Sequence, residues 1–194
     1  MALSSGSPPT RVAVIIPARN AARSLPDCLA ALRASEIPGS SGHLIVVDDA
    51  STDATAKVAA AAGAQVLAGE GRGPAAARNL GAQISDADVL IFLDADTAPE
   101  PGWLAALLEP FADAGIVAVK GRYVTRQRGI IPRFSQLEFE EKYARLERAA
   151  QIDFIDTGTA AFRRDVFMTA AGFDESFPAQ SAEDVELGFR LAEQ

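Results

Sequence analysis

Apolar runs and helical stretches alternate through the first half of the chain. Arg11 to Ile16 is a short β-forming run closed by Pro17. Leu25, Cys28, Leu29 and Leu32 then recur at helical spacing. Ser24 is a candidate N-cap and Pro26 falls in the first turn, so a helix is expected to about Ser35. After a loop from Pro38 to Gly42, His43 to Val47 forms a second strand that ends at Asp48-Asp49. Ser51, Thr52 and Asp53 are N-cap candidates for an Ala-rich helix ending at Gly63. Ala64 to Leu67 is a third strand. Gly69 to Gly73 is a glycine-rich loop, and Pro74 opens a helix carrying Arg78 and Asn79. Val89 to Leu93 is an uninterrupted apolar run, the signature of a strand covered on both faces. It ends in Asp94-Ala95-Asp96.

Beyond it the pattern loosens. Pro101 starts a helix with Trp103, Leu104, Leu107, Leu108 and Phe111 on its apolar side, a spacing that reads Trp103 as core packing. Ile116 to Val124 is a fifth strand, Arg126 to Arg133 a basic connection, and Phe134 to Ala150 a polar helix. A strand from Thr157 to Phe162, a short helix from Asp165 to Ala171 and a loop from Gly172 to Gln180 follow. The last helix starts near Ser181. Alternating strands and helices give parallel β-α-β units with right-handed crossovers. The expected fold is therefore α/β, a mostly parallel central sheet with flanking helices, the second half covering one side. Residues 1–10 are Ser/Gly/Pro-rich and read as a disordered tail; residues 11–194 read as one domain. The helical pattern of Glu186 to Gln194 carries no stop signal, so the domain is expected to be truncated there.

Composition narrows the chemistry. A net charge of −8 and a pI near 4.7 argue against nucleic-acid binding. The single Cys28 excludes an internal disulfide, and the single His43, at the start of a strand, excludes a His-rich zinc site. No apolar stretch is long enough to span a bilayer and no signal peptide is present, so a cytoplasmic protein is expected. Membrane association, at the inner face, would have to come through residues beyond Gln194.

Two sets of acids, Asp48-Asp49 and Asp94 with Asp96, fall at the carboxyl ends of parallel strands, where open α/β sheets bind ligands. Such hard oxygen donors suit Mg²⁺ or Mn²⁺ rather than zinc. Each residue also has a plainer reading. Asp94 and Asp96 can cap a turn or the next helix, Asn20 can be a turn residue, Asp49 can form an Asx-turn ahead of Ser51, and Arg78 can be a solvated helix position.

Six segments in order resemble the family 2 glycosyltransferases of the GT-A (Rossmann-like) fold. These are Val14 to Asn20, Val46 to Asp53, Gly73 through Ala77 to Gly81, Phe92 to Asp96, Gly158 to Arg164, and Gly172 to Glu175 with Glu183-Asp184. The resemblance implies a nucleoside-diphosphate sugar donor, a carbohydrate or lipid-linked acceptor, and cell-envelope polysaccharide chemistry. It implies that Pro17, Ala18, Arg19 and Asn20 line the nucleotide pocket, that Asp49 accepts from the base with Asp48 in support, and that Arg78 lies near the base or diphosphate. Asp94 and Ala95 would approach the ribose side, Asp96 with Asp94 would hold the divalent metal, and Asp184 beside Glu183 would be the general base. The Gln-x-x-Arg-Trp segment of processive synthases is not present.

Three other readings stand beside this one. A phospho-receiver domain would share the acidic pair and a later lysine, Lys120, but does not account for a D-x-D or for the chain after Val124. A sugar-phosphate nucleotidyltransferase would carry a glycine-rich turn where this chain has Pro17-Ala18-Arg19-Asn20. A sugar-nucleotide-binding domain without activity is the third. Ser181 to Asp184 also reads as a variant capping box, with Asp184 reaching back to the helix start.

Overall fold

The computed structural model describes residues 11–35, 43–124, 129–146, 157–177 and 182–192. The expected tail, the loop before His43, Ser181 and the end of the polar helix lie outside the described residues. Strands β1 (Val12–Ala18), β2 (His43–Asp48), β3 (Gln65–Ala68) and β4 (Val89–Leu93) alternate with helices α1 (Leu25–Ala34), α2 (Thr55–Ala61) and α3 (Pro74–Ile84). Then come α4 (Trp103–Leu108), a 3-10 turn (Glu109–Ala112), β5 (Ala118–Lys120), α5 (Ile130–Leu146), β6 (Thr159–Arg163), α6 (Arg164–Thr169) and α7 (Glu183–Ala192).

The strands form one sheet in the order β3-β2-β1-β4-β6-β5. The first four are parallel; β6 pairs antiparallel with both β4 and β5. Alternating residues of each central strand feed two cores. Val14, Ile16, Val46 and Ile91 pack with Leu25 of α1 and Leu104 of α4. Ile15, Ile45 and Phe92 pack on the other face with Ala77 of α3, Phe167 and Leu187. Every residue of β1 and β4 is buried, as a strand sandwiched between helical layers requires.

Three elements differ from the sequence reading. The polar helix begins at Ile130, four residues early, because Pro132 lies in the first turn, where no amide hydrogen is needed. The fifth strand shrinks to Ala118–Lys120, and β6 inserts between it and β4, a long-range pairing with no local signature. With β6 and β5 beyond β4, β1 and β4 lie at the centre of the sheet.

β1 leads to β2 on one side, while β4 lies on the other. The crevice between the ends of β1 and β4 is thus the topological switch point, where ligands of open α/β sheets bind. The β1–β4 ladder stops at Ile15–Phe92, and Pro17, which has no amide hydrogen, falls in the stretch beyond it.

Candidate active site

A cleft of about 690 Å³ opens at the switch point, lined by residues 17–21, Ser24, Asp49, Gly73, Pro74 and residues 94–96. It contains seven of the sequence-predicted donor residues, Pro17, Ala18, Arg19, Asn20, Asp49, Asp94 and Ala95, together with Asp96. Asp48, Arg78, Glu183 and Asp184 do not line it.

The loop after β1 is clipped to the loop after β2. Asn20, at φ 50°, accepts at Oδ1 from the Thr52 amide (2.8 Å), and its own amide donates to Ser51 Oγ (2.9 Å). Asn20 is thus a turn residue, as its plainer reading held, and a clasp as well. Asp53 accepts from the Ala22 amide and from Thr55, whose hydroxyl bond is the main cause holding its carboxyl below the usual range.

Asp49 is buried, and both its oxygens are engaged. Oδ1 accepts from the Gly71 amide (2.7 Å) and Oδ2 from the Gly73 amide (2.8 Å). It folds the glycine-rich loop over β2. A Cβ on Gly69 would sit 2.9 Å from Asp49 Oδ1, so the loop lies close because that residue is glycine. The expected Asx-turn of Asp49 ahead of Ser51 is not formed, since both Asp49 oxygens bond the glycine-rich loop; the Ser51 amide bonds Asp48 Oδ1, three residues back, at 3.3 Å.

Arg78 is buried, not solvated. Its Nη2 bonds Asp94 Oδ1 at 2.9 Å, its Nη1 lies 3.5 Å from Glu183 Oε1, and the guanidinium sits 5.7 Å from the Phe173 ring centroid. α3 brings it there because Gly81, one turn on, packs so close to Ile15 that a Cβ would come within 2.5 Å of Ile15 Cγ2. Arg78 therefore ties the end of β4 to the start of α7. Neighbouring Asn79 makes a parallel tie. Its Nδ2 donates to Phe173 O and Glu175 Oε1, both at 2.8 Å, and its Oδ1 accepts from the Phe173 amide. The segments Arg78-Asn79 and Gly172 to Glu175 stand out in the sequence, but only the fold shows that they meet.

Asp96 is exposed, and its side chain makes no hydrogen bond or ion pair among the described residues. Neither Asp94 nor Asp96 caps a helix. No group of three His, Cys, Asp or Glu side chains able to hold a metal occurs among the described residues. The two carboxylates fit Mg²⁺ or Mn²⁺ nonetheless, since these ions commonly take one or two carboxylates with water and phosphate oxygens completing the shell. Cys28 lies beneath this pair, its Sγ 3.7 Å from Asp94 O. Burial, then the Asp96 and Asp94 charges, push its thiol up to about 12.

At the acceptor side, Asp184 Oδ1 accepts the amide of Val185, its own neighbour in the first turn of α7. Glu183 is the more buried of the two acids. Trp103 is more than core packing: it is half-buried, and its Nε1 donates to Thr159 Oγ1 at 3.0 Å. Among the described residues no helix is long and apolar enough to cross a membrane.

The sequence matches glycosyl transferase family 2 over residues 13–170. The pre-mycofactocin glycosyltransferase of Mycobacterium tuberculosis is 33% identical over 199 residues, covering 97% of this chain and 40% of that protein. The succinoglycan biosynthesis protein ExoU of Rhizobium meliloti is 36% identical over 137 residues, 66% of this chain and 39% of that protein. The chain thus spans about 40% of the length of these curated relatives. Among solved structures, the mannosyltransferase PcManGT from Pyrobaculum calidifontis in complex with GDP-Man and Mn²⁺ aligns with a TM-score of 0.77. That alignment covers 98% of this chain and 54% of the other at 23% identity. Glucosyl-3-phosphoglycerate synthase from Mycobacterium tuberculosis, in complex with Mn²⁺, UDP and glucosyl-3-phosphoglycerate, aligns at 0.62 over 95% and 64% with 24% identity. At these identities the likeness shows a shared fold, the GT-A fold. It sets aside the phospho-receiver reading, whose sheet would be parallel throughout. With a sequence match running from the start of β1 to the end of α6, the chain belongs to the family 2 glycosyltransferases.

Proposed function

We propose that this chain carries the donor half of an inverting glycosyltransferase that moves a hexosyl group from a nucleoside-diphosphate sugar to an acceptor hydroxyl with a divalent metal. The observation that supports this most is the switch-point cleft, which sets Asp94 and Asp96 of the β4 end beside Asp49 and the turn of residues 17–20. The complexes of structural neighbours with GDP-Man, UDP and UDP-GlcNAc favour the same donor class.

In this reading the nucleoside lies along residues 17–20, with the base toward Asp49. Each Asp49 oxygen has a second lone pair, so a base N–H can bond there in addition to the loop amides. Asp94, Ala95 and Asp96 would face the ribose and diphosphate, and Asp96 with Asp94 would hold Mg²⁺ or Mn²⁺. A cation bound there would supply charge neutralisation for the leaving diphosphate. Arg78 holds Asp94 in place and puts a fixed positive charge behind it. Asp48 supports the loop that carries Asp49.

Asp184 is assigned as the general base, with Glu183 as the alternative. The acceptor oxygen bonds to the anomeric carbon as the bond from that carbon to the diphosphate oxygen breaks. The bonding pair leaves with the nucleoside diphosphate, and the acceptor proton goes to the carboxylate. One base and one displacement invert the anomeric centre. Glu183 is the poorer candidate because its carboxylate already faces Arg78.

Titration of UDP and GDP into the protein with and without Mn²⁺ tests the reading. One of them should bind much more tightly with the metal, and Asp96→Ala should remove that difference. Metal-independent binding, equal in the wild type and Asp96→Ala, would reject it.

A further inference from the structure

Helix α5 shows apolar side chains on two opposite sides. Inward, the Phe139 ring stacks on Tyr143 at 6.1 Å and meets Tyr123 at 5.8 Å, centroid to centroid, and Tyr143 is buried. Packing accounts for that side. Outward, Ile130, Phe134 and Leu137 recur at the spacing of one helical stripe and remain 90%, 62% and 55% exposed. With Val124 they make up half of the large apolar side chains exposed among the described residues. A solvated helix face is normally polar, and an apolar stripe left in water marks a surface that something covers.

Charge says what covers it. The chain is acidic overall, with a net charge of −8, yet its sequence holds no acid between Asp113 and Glu138, while Lys120, Arg122 and Arg133 fall in that stretch. Arg133 is exposed and sits at the edge of the stripe, one residue before Phe134. Acids return at Glu138, and Glu140 and Glu141 follow, all exposed. Only the first two turns of α5 can therefore lie against a negative surface, and the helix must leave that surface at an angle. A few aliphatic and aromatic side chains beside arginine are what an interfacial helix end presents to an anionic bilayer. A protein partner fits less well, since stable interfaces bury about 1,000 Å² or more in total and three side chains on two turns offer a fraction of that.

We propose that the outward face of Ile130, Arg133, Phe134 and Leu137 docks on an anionic lipid bilayer, the apolar side chains entering the headgroup layer and Arg133 meeting lipid phosphates. Tyr123, against which α5 packs, lies in the wall of a cleft that meets the switch-point cleft at Asp96. A bilayer held by α5 is thus held beside the site, and docking brings the site to the membrane surface. The docking face shares no residue with the proposed donor site, so either can fail without the other.

The test is flotation of the 194-residue protein with vesicles of phosphatidylcholine alone and of phosphatidylcholine mixed equally with phosphatidylglycerol. The protein should float with the anionic vesicles and not with the neutral ones. Salt at about 1 M, where the screening length is about 3 Å, should weaken the association. Phe134→Ser and Arg133→Glu should each lower partitioning about tenfold or more. Both side chains are exposed, so both variants should fold with the melting temperature of the wild type. Ile84→Ser, which alters an exposed apolar side chain at the end of α3, should leave flotation unchanged. No flotation with anionic vesicles, equal flotation with neutral ones, or flotation unaltered in either Phe134→Ser or Arg133→Glu overturns lipid docking. Sedimentation velocity covers the other occupant: a wild-type dimer that Phe134→Ser dissociates, in a protein that binds no vesicles, would put a second copy on this face and also overturn it.

Discussion

The loops after β2 and β4 both begin with acids, yet their acids meet different fates. Asp49 is buried, with each oxygen bonded to a glycine amide of the neighbouring loop. Asp96 is exposed and bonds to nothing among the described residues. Asp94 lies between these extremes, one oxygen taken by Arg78 and the side chain 35% exposed. A carboxylate at a strand end is therefore a scaffold where backbone amides can reach it and stays open to solvent where they do not. Glycine makes the difference: the loop at residues 69–73 approaches Asp49 closely because Gly69 carries no side chain there, and no backbone amide among the described residues bonds Asp96. α7 repeats the contrast, with Glu183 buried against Arg78 and Asp184 less buried.

Removing the open acid should hurt function most and stability least. Asp96→Ala is expected to abolish the metal dependence of nucleotide binding and to cut transfer by ~10³-fold or more. Metal assistance supplies several kcal/mol, and ~1.4 kcal/mol is a factor of ten. The melting temperature should stay within a degree or two of wild type, since an unbonded surface carboxylate contributes little. A large stability loss would show that Asp96 is a scaffold residue after all. Asp184→Asn comes next. Transfer should fall by roughly 10²–10⁴-fold at saturating donor while nucleotide affinity holds. Near wild-type turnover would leave Asp184 as a helix-terminal residue and pass the base role to Glu183.

The engaged acid should show the opposite signature. Asp49→Ala leaves the Gly71 and Gly73 amides without their acceptor, and hydrogen bonds to a charged group are each worth ~1.5–3 kcal/mol. A loss of about 3 kcal/mol, or roughly 10 °C in melting temperature, is expected by calorimetry. Nucleotide binding should weaken with the metal requirement retained. An Asp49→Ala protein as stable as wild type would mean that the loop holds its place without the carboxylate.

How much of this was legible depends on distance along the chain. The strands and helices up to β4 follow from local periodicity, and most of their boundaries fall within a residue or two of the pattern. The cleft follows too, because the alternation fixes a parallel sheet and the acids mark strand ends. The partners of Asp49 lie 22 and 24 residues away, and that of Arg78 at Glu183 lies 105 away. No local pattern carries such pairings, so Arg78 reads equally as a solvated helix position. The same holds for β6, whose insertion beside β4 depends on what β4 has left unpaired. The seating of α3 is illegible for another reason: Gly81 matters by the side chain it does not have, and a glycine in sequence does not say whose space it leaves.

Cys28 gives the smallest effect and probes the floor beneath the open acids. It is buried under the β4 end, and burial first, then the Asp96 and Asp94 charges, push its thiol from an ordinary value of 9.0 up to about 12. At neutral pH the thiol is protonated in the folded and unfolded chain alike, so it adds no pH dependence there. Above about pH 9 the unfolded chain releases the proton while the folded chain keeps it. The unfolded state then binds fewer protons, and stability falls as pH rises, by at most ~1.4 kcal/mol per pH unit from this group. Other groups titrate in the same range, so the quantity to measure is the difference between wild type and Cys28→Ala in urea melts from pH 8 to pH 11. The wild type should lose more stability over that range. The folded protein should also resist alkylation by iodoacetamide at pH 8, because the reactive species is the thiolate and the site is closed. Equal slopes in the two proteins, together with rapid alkylation under native conditions, would show that the β4 end opens to solvent and that the acids above it do not rest on a closed floor.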